Sequence, residues 1–129
     1  MSRDISKIAD AWVKFVRRTN PMTGDLSKDE YNKLSDGSDW AVDELMDMSY
    51  DDAGKALDVI YEISKYEDPW VLENLGAGPL ETLLSNNSEF IITEMNKRGL
   101  PPEIRQALLS VWSDSMSEGA KEFLKSAKY

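Results

Sequence analysis

The sequence predicts an all-α protein, either an irregular bundle or a short HEAT-like stack of about eight to nine short helices. Three observations lead to this prediction. Apolar residues recur at spacings of three and four, residues that begin or end helices occur throughout the chain, and no run alternates between apolar and polar side chains as a half-buried strand would. The predicted links are short, so successive helices should pack as antiparallel pairs.

The first helix is predicted over about residues 3–18, where apolar side chains lie on one helical face. Pro21 follows, and a proline cannot continue the hydrogen-bond ladder of a helix. A short helix over about 28–34 should come next. Ser27 and Glu30 have the residue types and the spacing of a capping box, which is typical of a helix start.

Two further helices are predicted over about 39–48 and 50–66. Ser49 precedes Asp52 by three residues, which resembles a second capping box and favours a helix start at Ser49. The following helix should begin at Asp68, because aspartate is a good N-cap and the proline after it occupies the first helical position.

The string Gly76-Ala77-Gly78 is expected to interrupt this helix, and Pro79 to restart the chain. We interpret the string as a tight corner between two helices, which needs either a positive φ or a close approach of two backbones. A phosphate-binding loop is the alternative, but the lysine and the strand–loop–helix context are missing. Glu81 is then a capping carboxylate, and Asn74 binds the backbone of the corner.

The last helices are predicted over about 88–98, where Gly99 ends the helix, and over about 102–112. Ser113 should cap a final helix. The residues 70–84 (WVLENLGAGPLETLL) resemble the core signature of a family of small bacterial helical proteins of unknown function. That resemblance covers about residues 39–113; it implies an all-helical fold and a bacterial origin, and it implies no catalytic residue.

The whole chain, residues 1–129, is predicted to be one domain. It consists of an N-terminal segment over 1–35, a core over 36–113 and a C-terminal helix over 114–129. No apolar leader opens the chain, no apolar run approaches the roughly 20 residues of a membrane span, and cysteine is absent. These features predict a cytoplasmic protein.

The composition excludes several kinds of chemistry. Histidine and cysteine are both absent, so the chain has no ligands for a Cys/His zinc site, no thiol nucleophile and no Ser-His-Asp triad. With 24 acidic and 15 basic side chains, the formal net charge is −9. Phosphate contacts supply much of the affinity of nucleic-acid binding, so this charge disfavours it. We expect no cofactor and no metal.

The acidic residues are concentrated in the middle of the sequence. Residues 36–94 contain fifteen acidic and two basic side chains, whereas the segments on either side are slightly basic. Like charges repel one another in a compact domain. The sequence therefore predicts a continuous negative surface that is complementary to something positive.

Asp39, Asp43 and Asp47 are spaced by four residues and should form one ridge of a helix. Two interpretations remain open, a solvated face and a negative strip that binds a basic partner. Core packing is the expected role of the four tryptophans, with Trp40 or Trp70 the best candidates for an interface anchor. The candidate partner-binding residues are Asp39, Trp40, Asp43, Glu44, Asp47, Asp51 and Trp70.

These features favour a non-catalytic interaction protein that binds a basic protein such as a toxin, as immunity proteins and inhibitors do. One alternative is a magnesium-dependent nucleotide phosphohydrolase. Asp43-Glu44-x-x-Asp47, with Asp58 and Glu62 on the next helix, is distantly similar to the paired acidic motifs of all-helical pyrophosphohydrolases. Another alternative is a structural subunit that completes its hydrophobic face by self-association.

Overall fold

The computed structural model describes residues 4–18, 40–114 and 116–128, and within these ranges it contains helices and no strands. The predicted all-α fold is confirmed. The helices are α1 (Ile5–Arg18), α2 (Trp40–Asp51), α3 (Ala53–Ser64), α4 (Pro69–Leu75), a π-helical segment (Gly76–Leu80), α5 (Glu81–Asn86), α6 (Ser88–Arg98), α7 (Pro102–Leu108) and α8 (Glu118–Lys128). The predicted helix over 28–34 and its capping box lie outside the described residues. None of the helices described is both long and apolar enough to cross a membrane.

The core joins helices that are distant along the chain. α1 packs mainly against α3 and also contacts α2 and α4, while α7 packs against α4. Such contacts are typical of an irregular bundle, since in a solenoid each repeat contacts only its neighbours. The largest fully buried side chains are all aliphatic or methionine: Ile8, Leu45, Met48, Leu57, Ile60, Ile63, Leu75, Leu80, Leu83, Leu84, Ile91 and Met95.

α4, the π-helical segment and α5 form one uninterrupted helical run from Pro69 to Asn86. The interruption predicted at Gly76-Ala77-Gly78 is therefore wrong, because the residues at both junctions keep right-handed helical φ and ψ angles. Pro79 explains the π-helical geometry. A proline cannot donate to the carbonyl of Leu75, and its ring would clash with that carbonyl in an α-helix, whereas a wider turn relieves the clash.

Gly76 provides the close backbone approach that was one of the two alternatives predicted for the glycine string. A Cβ atom added at Gly76 would overlap the backbone carbonyl oxygen of Ala107, so the absence of a side chain allows α7 to pack directly on the π-helical segment. Gly78 differs from it, because a Cβ atom there would meet nothing within 4 Å. Only the first of the two glycines is required by packing.

Two predicted helix termini are confirmed. The carboxylate of Asp68 accepts hydrogen bonds from the backbone N–H groups of Trp70, at 3.0 Å, and Val71, at 3.4 Å, with a proline in the first turn. Gly99 ends α6 with a φ of 89°, a conformation that favours glycine. The prediction that Asn74 binds the backbone of a corner at residues 76–78 is wrong, since its amide donates to the carbonyl of Trp70, one turn earlier in α4, at 2.8 Å.

Two predicted caps are wrong. Ser49 lies buried inside α2, where its hydroxyl donates to the carbonyl of Leu45 at 2.9 Å, and Asp52 caps α3 instead by accepting from the backbone of Lys55 at 3.4 Å. Likewise α7 ends at Leu108, and α8 begins at Glu118, four residues later than a helix capped by Ser113 would begin. The hydroxyl of Ser117 accepts a hydrogen bond from the first turn of α8, which is the role predicted for Ser113.

Candidate protein-binding face

The outer side of α2 carries two acidic and two aromatic residues. Trp40, Asp43, Asp47 and Tyr50 follow one another at spacings of three, four and three, which places them on one side of the helix. We call these four residues the α2 face. The opposite side of α2 packs into the core through Ala41, Leu45, Met48 and Ser49, all of which are buried. The packing of these buried residues against the core therefore holds the helix that carries the α2 face in place.

All four residues of the α2 face are exposed. Trp40 and Tyr50 expose 44% and 68% of their surfaces, unusually large fractions for aromatic side chains. Asp43 and Asp47 lie one turn apart, and neither forms an ion pair with any described residue. The face thus combines negative charge that no ion pair with the described residues compensates and aromatic surface that those residues leave in contact with solvent.

The other candidate residues lie in different environments. Asp51 is exposed at the C-terminal end of α2, and Glu44 is half-buried beside the face. Trp70 is half-buried on α4, where its indole N–H donates to the carbonyl of Val16 at 3.1 Å, so it contributes to the contact between α1 and α4. Asp39 lies outside the described residues.

Basic residues from the flanking segments pair with part of the acidic surplus. Arg17 of α1 bonds Asp68 at 3.0 Å, and Arg98 of α6 pairs with Asp58 and, at 3.6 Å, with Glu94. The predicted continuous negative surface is therefore wrong at Asp58, Asp68 and Glu94, because arginines pair with these three carboxylates. The flanking cations are folded back onto the acidic segment, whereas no such cation reaches Asp43 or Asp47 in the described part of the chain.

Arginines of this chain stack on tyrosines beside aspartates. The guanidinium of Arg98 lies 5.5 Å from the centre of the Tyr61 ring and pairs with Asp58. The guanidinium of Arg17 lies 5.6 Å from the ring centre of Tyr66 and pairs with Asp68. In both cases one guanidinium satisfies a carboxylate and covers an aromatic face, which uses both the charge and the planarity of arginine.

Tyr50, Phe90 and Trp112 are among the exposed aromatic residues that were not predicted as such. Tyr50 follows Asp47 by three residues on the outer side of α2, so its exposure could have been inferred from the position of the acidic ridge. Phe90 lies in α6, within the predicted helix over 88–98, and is 42% exposed. Trp112 was also expected to lie on a helix, but it follows the end of α7 and is 68% exposed.

Glu81 holds the segment that carries Trp112. Its carboxylate accepts a hydrogen bond from the backbone N–H of Trp112 at 2.6 Å. The expectation that Glu81 caps a helix is wrong, because the chain is already helical before it and leaves no free N-terminal amides to cap. The carboxylate instead fixes the segment after α7 against α5.

The carboxylates proposed for a magnesium site are not assembled as one. Among the described residues, no group of three or more acidic side chains is placed to hold a metal ion. Asp58 pairs with Arg98, and Glu62 pairs with Lys65 at 3.1 Å. A cleft between α1, α2 and the π-helical segment is lined mainly by apolar side chains, with Asn74 among the lining residues and no charged side chain.

Sequence comparison places the chain in a family. Residues 28–128 match the profile of a family of unknown function, DUF6869, and the chain belongs to this family. The match extends beyond residues 39–113, for which the sequence resemblance was recognised, and it includes α8. No curated protein and no solved structure matches the chain significantly.

Proposed function

We propose that this protein is a non-catalytic interaction protein of the immunity or inhibitor type, whose α2 face binds the basic surface of a protein partner such as a toxin. One observation carries the proposal. Asp43 and Asp47 lie one turn apart, exposed, without an ion pair to any described residue, and between two exposed aromatic side chains.

Asp43 and Asp47 repel each other in the free protein. Like charges four residues apart destabilise a helix by about 0.2–0.5 kcal/mol. Asp47 also lies beyond the first turn of α2, where the helix dipole no longer favours a negative charge. The positive charge of a basic partner would attract both aspartates and offset their mutual repulsion. Complementary charge also accelerates association and excludes unsuitable partners.

The aromatic residues supply the apolar part of such an interface. Tryptophan and tyrosine are enriched among the residues that contribute most to protein–protein affinity, because a large ring is desolvated with little loss of side-chain freedom. Trp40 and Tyr50 are ten residues apart on one helix, or about 15 Å along its axis. Asp43 and Asp47 lie between them, so charged contacts would be enclosed by aromatic ones.

Comparative affinity capture tests the proposal. The wild-type protein, the α2 variant Asp43→Lys/Asp47→Lys and a control, Glu73→Lys/Glu122→Lys, are immobilised and exposed to extract of the native host. The control changes the net charge equally at two exposed acids outside the α2 face, and neither acid forms an ion pair with a described residue. Circular dichroism establishes that all three proteins are equally helical.

We expect a basic protein that the wild-type protein and the control retain and the α2 variant loses. Identical sets of retained proteins from all three would contradict the proposal, because the two aspartates would then not contribute to recognition. Retention of only a second copy of the chain would also contradict it, and would favour the self-associating structural subunit.

A further inference from the structure

The pair Asp58 and Tyr61 on α3 forms an arginine-binding unit within this protein. The two residues are three apart, so their side chains leave the same side of the helix with Cβ atoms roughly 5–6 Å apart. The guanidinium of Arg98, from α6, pairs with the carboxylate of Asp58 and lies over the ring of Tyr61, 5.5 Å from its centre. One arginine thus engages a carboxylate and an aromatic ring that are adjacent on one helix.

The α2 face contains the same pair in the same order. Asp47 and Tyr50 are also an aspartate followed by a tyrosine three residues later, and both lie within the regular helix α2. Both are exposed, and in contrast to the pair on α3 no arginine of the described chain lies over Tyr50 or pairs with Asp47. The α2 pair therefore has the residue types and the spacing of the α3 pair, but no arginine from the described residues.

We propose that Asp47 and Tyr50 bind an arginine side chain of the basic partner, and that they discriminate against lysine at this position. This inference rests on the function proposed for the α2 face. A guanidinium is planar, so it can stack on the tyrosine ring while its edge donates hydrogen bonds to the carboxylate. An ammonium group is a compact, strongly hydrated charge, and it makes the ion pair without the stacking.

The inference is tested with two peptides of equal length and charge, nona-arginine and nona-lysine. Their affinities for the full-length protein are measured by isothermal titration calorimetry at low salt, because exposed ion pairs are screened as salt rises. The variants are Asp47→Asn, which removes the carboxylate, and Tyr50→Ala, which removes the ring. The matched controls are Glu73→Gln, which removes an exposed acid elsewhere, and Phe90→Ala, which removes an exposed ring elsewhere.

We expect the arginine peptide to bind the wild-type protein at least about threefold more tightly than the lysine peptide. Tyr50→Ala should remove this preference for the arginine peptide. Asp47→Asn should lower the affinity for both peptides, and neither control should change the ratio of the two affinities. Equal affinities for the two peptides, both reduced by Asp47→Asn, would overturn the arginine inference and leave the proposed function standing. Binding that Asp47→Asn does not reduce more than Glu73→Gln does would overturn the inference and count against the α2 face as the binding site.

Discussion

Arg98 of α6 joins Asp58 of α3 in an ion pair, and this contact spans two helices that are far apart in the sequence. The arginine side chain is only 26% exposed, and it also covers the ring of Tyr61. Arg98→Lys keeps the charge and loses the stacked, planar contact, so we expect the free energy of unfolding to fall by about 1 kcal/mol.

Urea unfolding followed by circular dichroism checks this prediction. The control is Lys97→Arg, which exchanges the same two residue types at a side chain that is 70% exposed and pairs only with Glu94 among the described residues. We expect that control to change the stability by less than about 0.5 kcal/mol. Equal stabilities of Arg98→Lys and the wild-type protein would show that the stacked arginine adds nothing beyond its charge.

A second prediction concerns the close approach of Gly76 to Ala107. In Gly76→Ala the new methyl group would overlap the carbonyl oxygen of Ala107, and backbone cannot move aside as a flexible side chain can. We expect thermal unfolding to show a loss of about 2–4 kcal/mol. Gly78→Ala is the matched control, since its methyl group meets nothing within 4 Å and alanine is the better helix former. A mild effect at both positions would mean that α7 can shift away from the π-helical segment.

A third prediction concerns the hydrogen bond between Glu81 and the backbone of Trp112. Glu81→Ala should release the segment after α7, because it removes the acceptor of the Trp112 N–H group. We expect amide hydrogen exchange at Trp112 to become at least about tenfold faster, the change that a loss of about 1.4 kcal/mol of local stability gives. Glu81→Gln keeps an acceptor oxygen, so the amide of Trp112 should exchange more slowly in this variant than in Glu81→Ala. Unchanged exchange in Glu81→Ala would show that packing alone holds the segment.

A fourth prediction follows from the environment of Tyr61. Burial raises the pKa of Tyr61 above its usual value of 10.0, and the nearby charge of Arg98 offsets this only in part. The unfolded chain therefore loses the phenolic proton at a lower pH than the folded protein does. The contribution of Tyr61 to stability is complete below the unfolded pKa and is lost as the pH rises through the folded pKa.

Tyr61→Phe tests this contribution. The variant lacks the hydrogen bond from the phenol to the carbonyl of Gly99, which is 2.8 Å long, so it should be less stable than the wild-type protein at about pH 7. The difference in the free energy of unfolding should narrow at about pH 11, where the wild-type protein has lost part of this stabilisation. A difference that stays constant between these two pH values would refute the proposed origin of the pH dependence.

Local chemistry explains which helix boundaries could be predicted from sequence. Asp68 caps α4 because its carboxylate reaches amides two and three residues away, and Gly99 ends α6 because it adopts a positive φ. Neither feature depends on distant residues. Ser49 shows the limit of this reasoning, since a serine that resembles a cap can also bond to the preceding turn when the helix continues through it.

Tertiary packing decided the features that could not be predicted. A glycine-rich string followed by proline normally ends a helix, but here the chain stays helical, Gly76 packs closely against Ala107, and Pro79 only widens the turn. Trp112 is exposed because α7 ends early and Glu81 holds the following segment. Asp43 and Asp47 could be placed on one side of α2 by spacing alone, whereas the pairing of Asp58 with an arginine forty residues later could not be predicted.

The central claim is that Asp43 and Asp47 meet a positive surface. The most direct test is the association rate of the captured partner, measured by surface plasmon resonance for the wild-type protein and for Asp43→Lys/Asp47→Lys at about 50 mM and about 500 mM salt. We predict that the wild-type rate constant falls by at least about tenfold between the two salt concentrations, and that the variant associates slowly at both. A wild-type rate constant that is independent of salt, or a variant that associates as fast as the wild-type protein, would contradict the account.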